Sequence, residues 1–113
     1  MTENITKRGI KKAQSSSCRY KICAIALDKY GNVMGYTSNA PRFPRLGGSI
    51  HAEMKLMSRY GKNIYTIIIL RTNKTGSNIL PIHPCKICSK KAQELGIKIV
   101  SVESNRSIQD GNV

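Results

Sequence analysis

Hydrophobic positions fall into short blocks of two periodicities. Residues 3–17 set Ile5, Ile10 and Ala13 among basic and polar side chains, predicting a weakly amphipathic opening helix. Its end is blurred by Ser15-Ser16-Ser17, whose hydroxyls compete for backbone hydrogen bonds. Tyr20 to Leu27 is a run of small and branched apolar residues that reads as a buried strand. Asp28 to Asn32 forms a turn, and Val33 to Thr37 returns as the second strand of a hairpin. Asn39 to Gly48 holds two prolines and two glycines and reads as a loop. A central helix follows, with Ser49 as its N-cap and Gly61 as its C-cap. Ile64 to Arg71, the most apolar strand, takes a central place in the sheet; Asn73 to Ser77 turns into a short strand, Asn78 to Ile82. Pro84 suits the first turn of a third helix reaching Leu95 and closed by Gly96, before a last strand from Lys98 to Val102.

This order of elements predicts a three-layer α/β domain over residues 1–103, with at least four strands in one sheet. Residues 104–113 form a polar C-terminal tail without apolar pattern, expected to be mobile. No apolar run approaches the roughly 20 residues of a membrane span, and no signal peptide is read, so an intracellular, cytoplasmic protein is expected. Its four cysteines then read as metal ligands or core residues rather than disulfides.

Two stretches break the pattern. On the central helix, Ile50, Met54, Leu56, Met57 and Tyr60 share one sector; Glu53 falls inside it and His51 at its edge. A carboxylate in a buried stripe is costly unless something pairs with it or uses it. His83-Pro84-Cys85-Lys86-Ile87-Cys88 places two thiols one turn apart at the start of the third helix, where unpaired N–H groups favour thiolates. One imidazole and two thiolates would leave a fourth tetrahedral position open for water, as in catalytic zinc sites, with Glu53 as base. Plainer readings stand beside this one. A Cys-x-x-Cys opening a helix also fits a redox pair, and a single helical His is usually a hydrogen-bonded core residue. Cys18 and Cys23 read as core residues.

Charge narrows the partners. The chain has 19 Lys and Arg against 6 Asp and Glu, a net charge of +13. Between Lys29 and Gln93 the only acidic residue is Glu53, so a general base in that region has one candidate. The excess favours a polyanionic or phosphorylated partner, the alternative being a merely solvated basic surface.

His51-Ala52-Glu53 with Pro84-Cys85-Lys86-Ile87-Cys88 resembles the H-x-E…P-C-x-x-C signature of the zinc-dependent cytidine and deoxycytidylate deaminase superfamily. Tyr36 to Pro41 looks like that family's Gly-Tyr-Asn-x-Pro region, and Gly96 to Val100 like its return into the next strand; residues 18–102 are covered. The resemblance implies a three-layer α/β/α cytidine-deaminase-like fold. Its central mixed sheet would have four to five strands, with the zinc site between two helix N-termini. It implies one zinc per chain, with a bound water or hydroxide, held by His51, Cys85 and Cys88. Glu53 would be the catalytic acid/base, Asn39 would meet the sugar, and the backbone around Ala52 the base edge. Three features depart from the family: His83 before Pro-Cys, an inserted hairpin from Arg71 to His83, and no counterpart after Glu103 of a fifth strand and its helix.

A hydrolase acting on C–N bonds of a cyclic amidine is therefore expected, converting cytosine to uracil in a phosphorylated substrate, a (deoxy)cytidine nucleotide. Cytosine in single-stranded nucleic acid, adenosine in transfer RNA, and an inactive zinc-containing nucleic-acid-binding module are the alternatives. Free-cytidine deaminases usually carry Cys at the place of His51, which disfavours that branch. Arg42 and Arg45 are the candidates for phosphate contacts. Phe43 and Tyr36 are candidates for stacking. No membrane partner is expected; a homo-oligomer is.

Overall fold

The computed structural model describes residues 3–16, 21–41, 49–84 and 86–102. Helix α1 spans Glu3–Gln14, and strands β1 (Lys21–Leu27) and β2 (Val33–Ser38) form a hairpin. Two short strands, β3 (Ala40–Pro41) and β4 (Ser49–Ile50), precede α2 (Ala52–Tyr60), which ends in a 3-10 turn, Gly61–Asn63. Strand β5 (Thr66–Thr72), β6 (Ile79–Leu80), α3 (Lys86–Leu95) and β7 (Lys98–Ser101) complete the described residues.

Among the described residues the main sheet has five strands. β1 lies between β2 and β5 and is antiparallel to both. The other edge of β5 is shared: β6 pairs antiparallel with Arg71 and Thr72, and β7 pairs parallel with Thr66 to Ile69. A parallel neighbour needs a crossover, and α3 supplies it. The expected mixed sheet is thus present.

Alternation along the two innermost strands sorts the core into two layers. Ala24, Ala26, Ile67 and Ile69 pack against Leu56 and Met57 of α2 and Cys88 and Ala92 of α3. Cys23, Ile25, Ile68 and Leu70 face the other way, against Ala13 of α1, with Ile5 and Ile10 at the margin. Both faces of β1 and β5 are therefore buried, which is why their sequences read as continuous apolar runs. α1 approaches the sheet closely at Gly9, where an added Cβ would lie 2.7 Å from Leu70 Cδ2 and 3.1 Å from Ile25 Cδ1.

Three boundaries differ from the sequence reading. Ser49 is not the N-cap of α2: Ser49 and Ile50 pair with Pro41 and Ala40, so the backbone is extended up to His51, which is the N-cap. Part of the expected 39–48 loop is accordingly a two-residue ladder, and Ile50 belongs to that ladder rather than to the helical stripe. Helix α3 begins at Lys86, beyond Pro84. Its other end is as expected. Gly96 (φ 75°) donates to Gln93 O at 3.2 Å and Ile97 N–H to Ala92 O at 2.8 Å, the paired bonds of a Schellman cap. Gly61 closes α2 with its N–H on Met57 O.

Cys23 is fully buried, and desolvation pushes its thiol from the usual 9.0 up to about 12, against the opposing pull of the Lys12 charge. In the unfolded chain the thiol ionises first, so between pH 9.0 and about 12 the unfolded state holds fewer protons and stability falls as pH rises. Denaturant titrations of wild type and Cys23→Ala across that window should show the steeper decline in wild type. Parallel pH profiles would contradict it. Cys18, also read as a core residue, lies outside the described residues, as does the 104–113 tail.

Candidate functional site

The site forms where α2 and α3 begin, beside the carboxyl end of β5, the usual place for ligands in α/β sheets. α2 is fastened there to β2 by two bonds: Thr37 Oγ1 donates to Ala52 O at 2.9 Å, and Lys55 Nζ donates to Ser38 O at 2.8 Å. At its other end Tyr60 Oη donates to Met34 O at 3.1 Å. These fix the direction in which residues 51 and 53 leave the helix start.

His51, the N-cap, makes no capping bond with its side chain. The imidazole turns instead to Cys88, with Nδ1 3.3 Å from Sγ, although 37 residues separate them. Cys88 is the third residue of α3 and fully buried. Glu53 is 4% exposed, and no described residue offers it an ion pair or hydrogen bond. Ligand atoms of His51, Glu53 and Cys88 all lie within 4.8 Å of one another.

The donor set suits zinc. A tetrahedral ion with bonds of about 2.0–2.1 Å to nitrogen and 2.3 Å to sulfur separates the two ligand atoms by roughly 3.5 Å. The His51–Cys88 separation of 3.3 Å is close to that, and also serves an N–H···S hydrogen bond when no ion lies between them. Imidazole and thiolate are ligands zinc favours, and a buried carboxylate beside them suits a base.

The structure therefore brings together His51, Glu53 and Cys88; Ala52, fully buried, lies between the first two in sequence, with its carbonyl held by Thr37. Cys85, Arg42, Arg45 and Phe43 lie outside the described residues. Asn39 is 3% exposed and carries a structural duty: its Oδ1 accepts the Ile22 N–H at 3.1 Å, its own N–H donates to Ile22 O at 3.1 Å, and its carbonyl accepts Ser16 Oγ at 2.9 Å. Tyr36 packs with the α1-side core, on the face of the sheet away from Glu53. The register explains this, since Thr37 beside it points toward α2. His83 is exposed on the segment leading into α3. Sequence reasoning missed Thr37 and Lys55 as anchors of the site, and local spacing held no signal for either, because both bonds reach 15 or more residues along the chain.

Among the described residues, a sheet covered by one helix on one face and two on the other matches in fold solved cytidine deaminases and a dCMP deaminase. The cytidine deaminase of Burkholderia pseudomallei superposes with a TM-score of 0.60 at 17% identity, covering 93% of this chain and 91% of that one. The cytidine deaminase of Mycobacterium tuberculosis gives 0.58 at 18% identity, with 96% and 94% covered. The dCMP deaminase of cyanophage S-TIM5 in apo form gives 0.57 at 21% identity, with 97% and 91% covered. No protein-family model matches the sequence, and no curated protein matches it. At such identities the likeness establishes the fold, and the chemistry rests on this chain's residues. No helix among the described residues is long and apolar enough to cross a membrane.

Proposed function

We propose that this chain is a zinc-dependent hydrolytic deaminase converting cytosine to uracil in a phosphorylated substrate, a (deoxy)cytidine nucleotide. The observation that carries the reading is the convergence of His51, Glu53 and Cys88 within 4.8 Å at two helix starts. The likeness in fold to cytidine and dCMP deaminases supports it. His51, Cys88 and, from the signature, Cys85 would hold the metal. Zinc bound there would supply a Lewis acid that lets water ionise near neutral pH. The Glu53 carboxylate takes the proton of the attacking water, gives it to the ring nitrogen, and assists departure of the amino group as ammonia. One water is consumed and one ammonia released for each cytosine converted. Burial of Glu53 suits both roles, because bulk water is kept from the proton in transit.

His51 in place of Cys and the +13 charge support a substrate bearing phosphate. Arg42 and Arg45 are proposed to meet that phosphate, Asn39 the sugar in addition to its hold on β1, and the backbone at Ala52 the base edge. A homo-oligomer is proposed, since relatives that deaminate nucleotides often share sites between subunits. Cytosine in a single strand remains the second reading, favoured by the same charge.

The test is an ammonia-release panel of deoxycytidylate, cytidylate, cytidine, single-stranded DNA and transfer RNA. Deoxycytidylate or cytidylate should outpace cytidine, with little loss on raising salt, since one phosphate releases few counterions. A steep salt loss confined to the polynucleotides would move the assignment to the second reading, and cytidine as best substrate would remove the phosphate argument.

A further inference from the structure

The face of the sheet away from Glu53 carries a second charged feature. Helix α1 packs on that face with Ile5, Ile10 and Ala13 turned inward. Its cations therefore turn outward. Arg8, Lys11, Lys12 and Ser15 follow the i, i+3, i+4, i+7 spacing that stacks side chains on one helical face, and all four are exposed. With Tyr36 of β2 they line an open, shallow groove of about 400 Å³ between helix and strand. Among the described residues its lining holds three cationic side chains, two hydroxyl-bearing ones and no carboxylate.

That set matches a particular chemistry. Arg8 and Lys12 are like charges four residues apart, which weakens an isolated helix and is relieved by an anion lying between them. One phosphate would engage one or two of the three cations; successive phosphates engage them all. Tyr36, half-buried against the α1-side core, offers a ring on which a base can stack. Cations spaced along a groove beside an aromatic ring are what a flexible strand with unstacked bases needs. β2 also forms the margin of the main sheet among the described residues. Tyr36 on one of its faces and Thr37, which holds Ala52, on the other put only the thickness of that margin between groove and site.

We propose that the groove between α1 and β2 binds single-stranded nucleic acid, with backbone phosphates on Arg8, Lys11 and Lys12 and a base on Tyr36. Binding there needs neither Glu53 nor zinc, so it stands or falls independently of the deaminase reading.

Fluorescence anisotropy with the full chain and a labelled single strand of about 16 nucleotides tests it, across a salt series. Lys11→Gln with Lys12→Gln should weaken binding and flatten the dependence of log K on log salt by about 1.4, at roughly 0.7 per lost phosphate contact. Lys90→Gln with Lys91→Gln removes the same charge from the exposed side of α3 and should leave the slope near wild type. Tyr36→Leu should lose at least about fivefold in affinity, while Tyr36→Phe, which keeps the ring, should not. Arg8→Gln, at an exposed position, supplies a further loss should Tyr36→Leu fail to fold. Equal losses in the two lysine pairs would overturn the proposal, because binding would then follow bulk charge alone. So would full affinity in a folded Tyr36→Leu, or deoxycytidylate competing as strongly as the oligonucleotide.

Discussion

Glu53→Gln is expected to abolish deamination while leaving fold and zinc content unchanged. Glutamine keeps the volume of the side chain and its place in the first turn of α2 but cannot accept and return a proton. General acid–base catalysis contributes about two to four orders of magnitude. In the proposed mechanism one residue serves both the attacking water and the leaving group, so the upper part of that range applies and ammonia release should fall to background. The substitution should not destabilise the protein, because glutamine keeps the volume of this 4% exposed side chain and no partner among the described residues is lost. Rates of ammonia release, zinc content and thermal melts on the same preparations check all three parts. Full activity in Glu53→Gln would remove the mechanism.

His51→Ala is expected to empty the metal site. Loss of an outer-shell partner alone costs about 10–100-fold in zinc affinity, and loss of a ligand should cost more. The effect should extend to Cys88. Its Sγ lies 3.3 Å from Nδ1 and is fully buried, so removing the imidazole takes away a polar group that faces the thiol. Metal analysis after dialysis against a chelator should find about one zinc per chain in wild type and almost none in His51→Ala. A metal-free redox pair at Cys85 and Cys88 predicts the reverse: no zinc in wild type and no dependence on His51.

β1 and β5 were legible as buried strands because both are continuous apolar runs, and the strand period of two then sorts their side chains. Cys23 and Ile25 against Ala24 and Ala26, and Ile68 and Leu70 against Ile67 and Ile69, assign each side chain to a face before any contact is known. The C-caps at Gly61 and Gly96 were legible as well, since both need a backbone that glycine adopts readily. The start of α2 was not. Ser49 has the chemistry of an N-cap, but pairing with Pro41 keeps it extended, and that pairing depends on where β2 delivers the chain. Tyr36 was offered as a stacking residue for the substrate; its register on β2 places it on the other face. The meeting of His51 with Cys88 follows from two helices opening at the same end of the sheet, which no local spacing encodes. Family resemblance suggested it, and the geometry of α2 and α3 brings the two together.

In the proposed function this chain removes an amino group by adding water at a site built on His51, Cys88 and Glu53. That reaction is tested most directly by turnover of deoxycytidylate in heavy-oxygen water with zinc-loaded protein. Deoxyuridylate carrying the heavy oxygen in its ring carbonyl, together with free ammonia, is expected from wild type and none from Glu53→Gln. No deaminated product from any cytosine- or adenine-bearing substrate, or a product without the label, would contradict it.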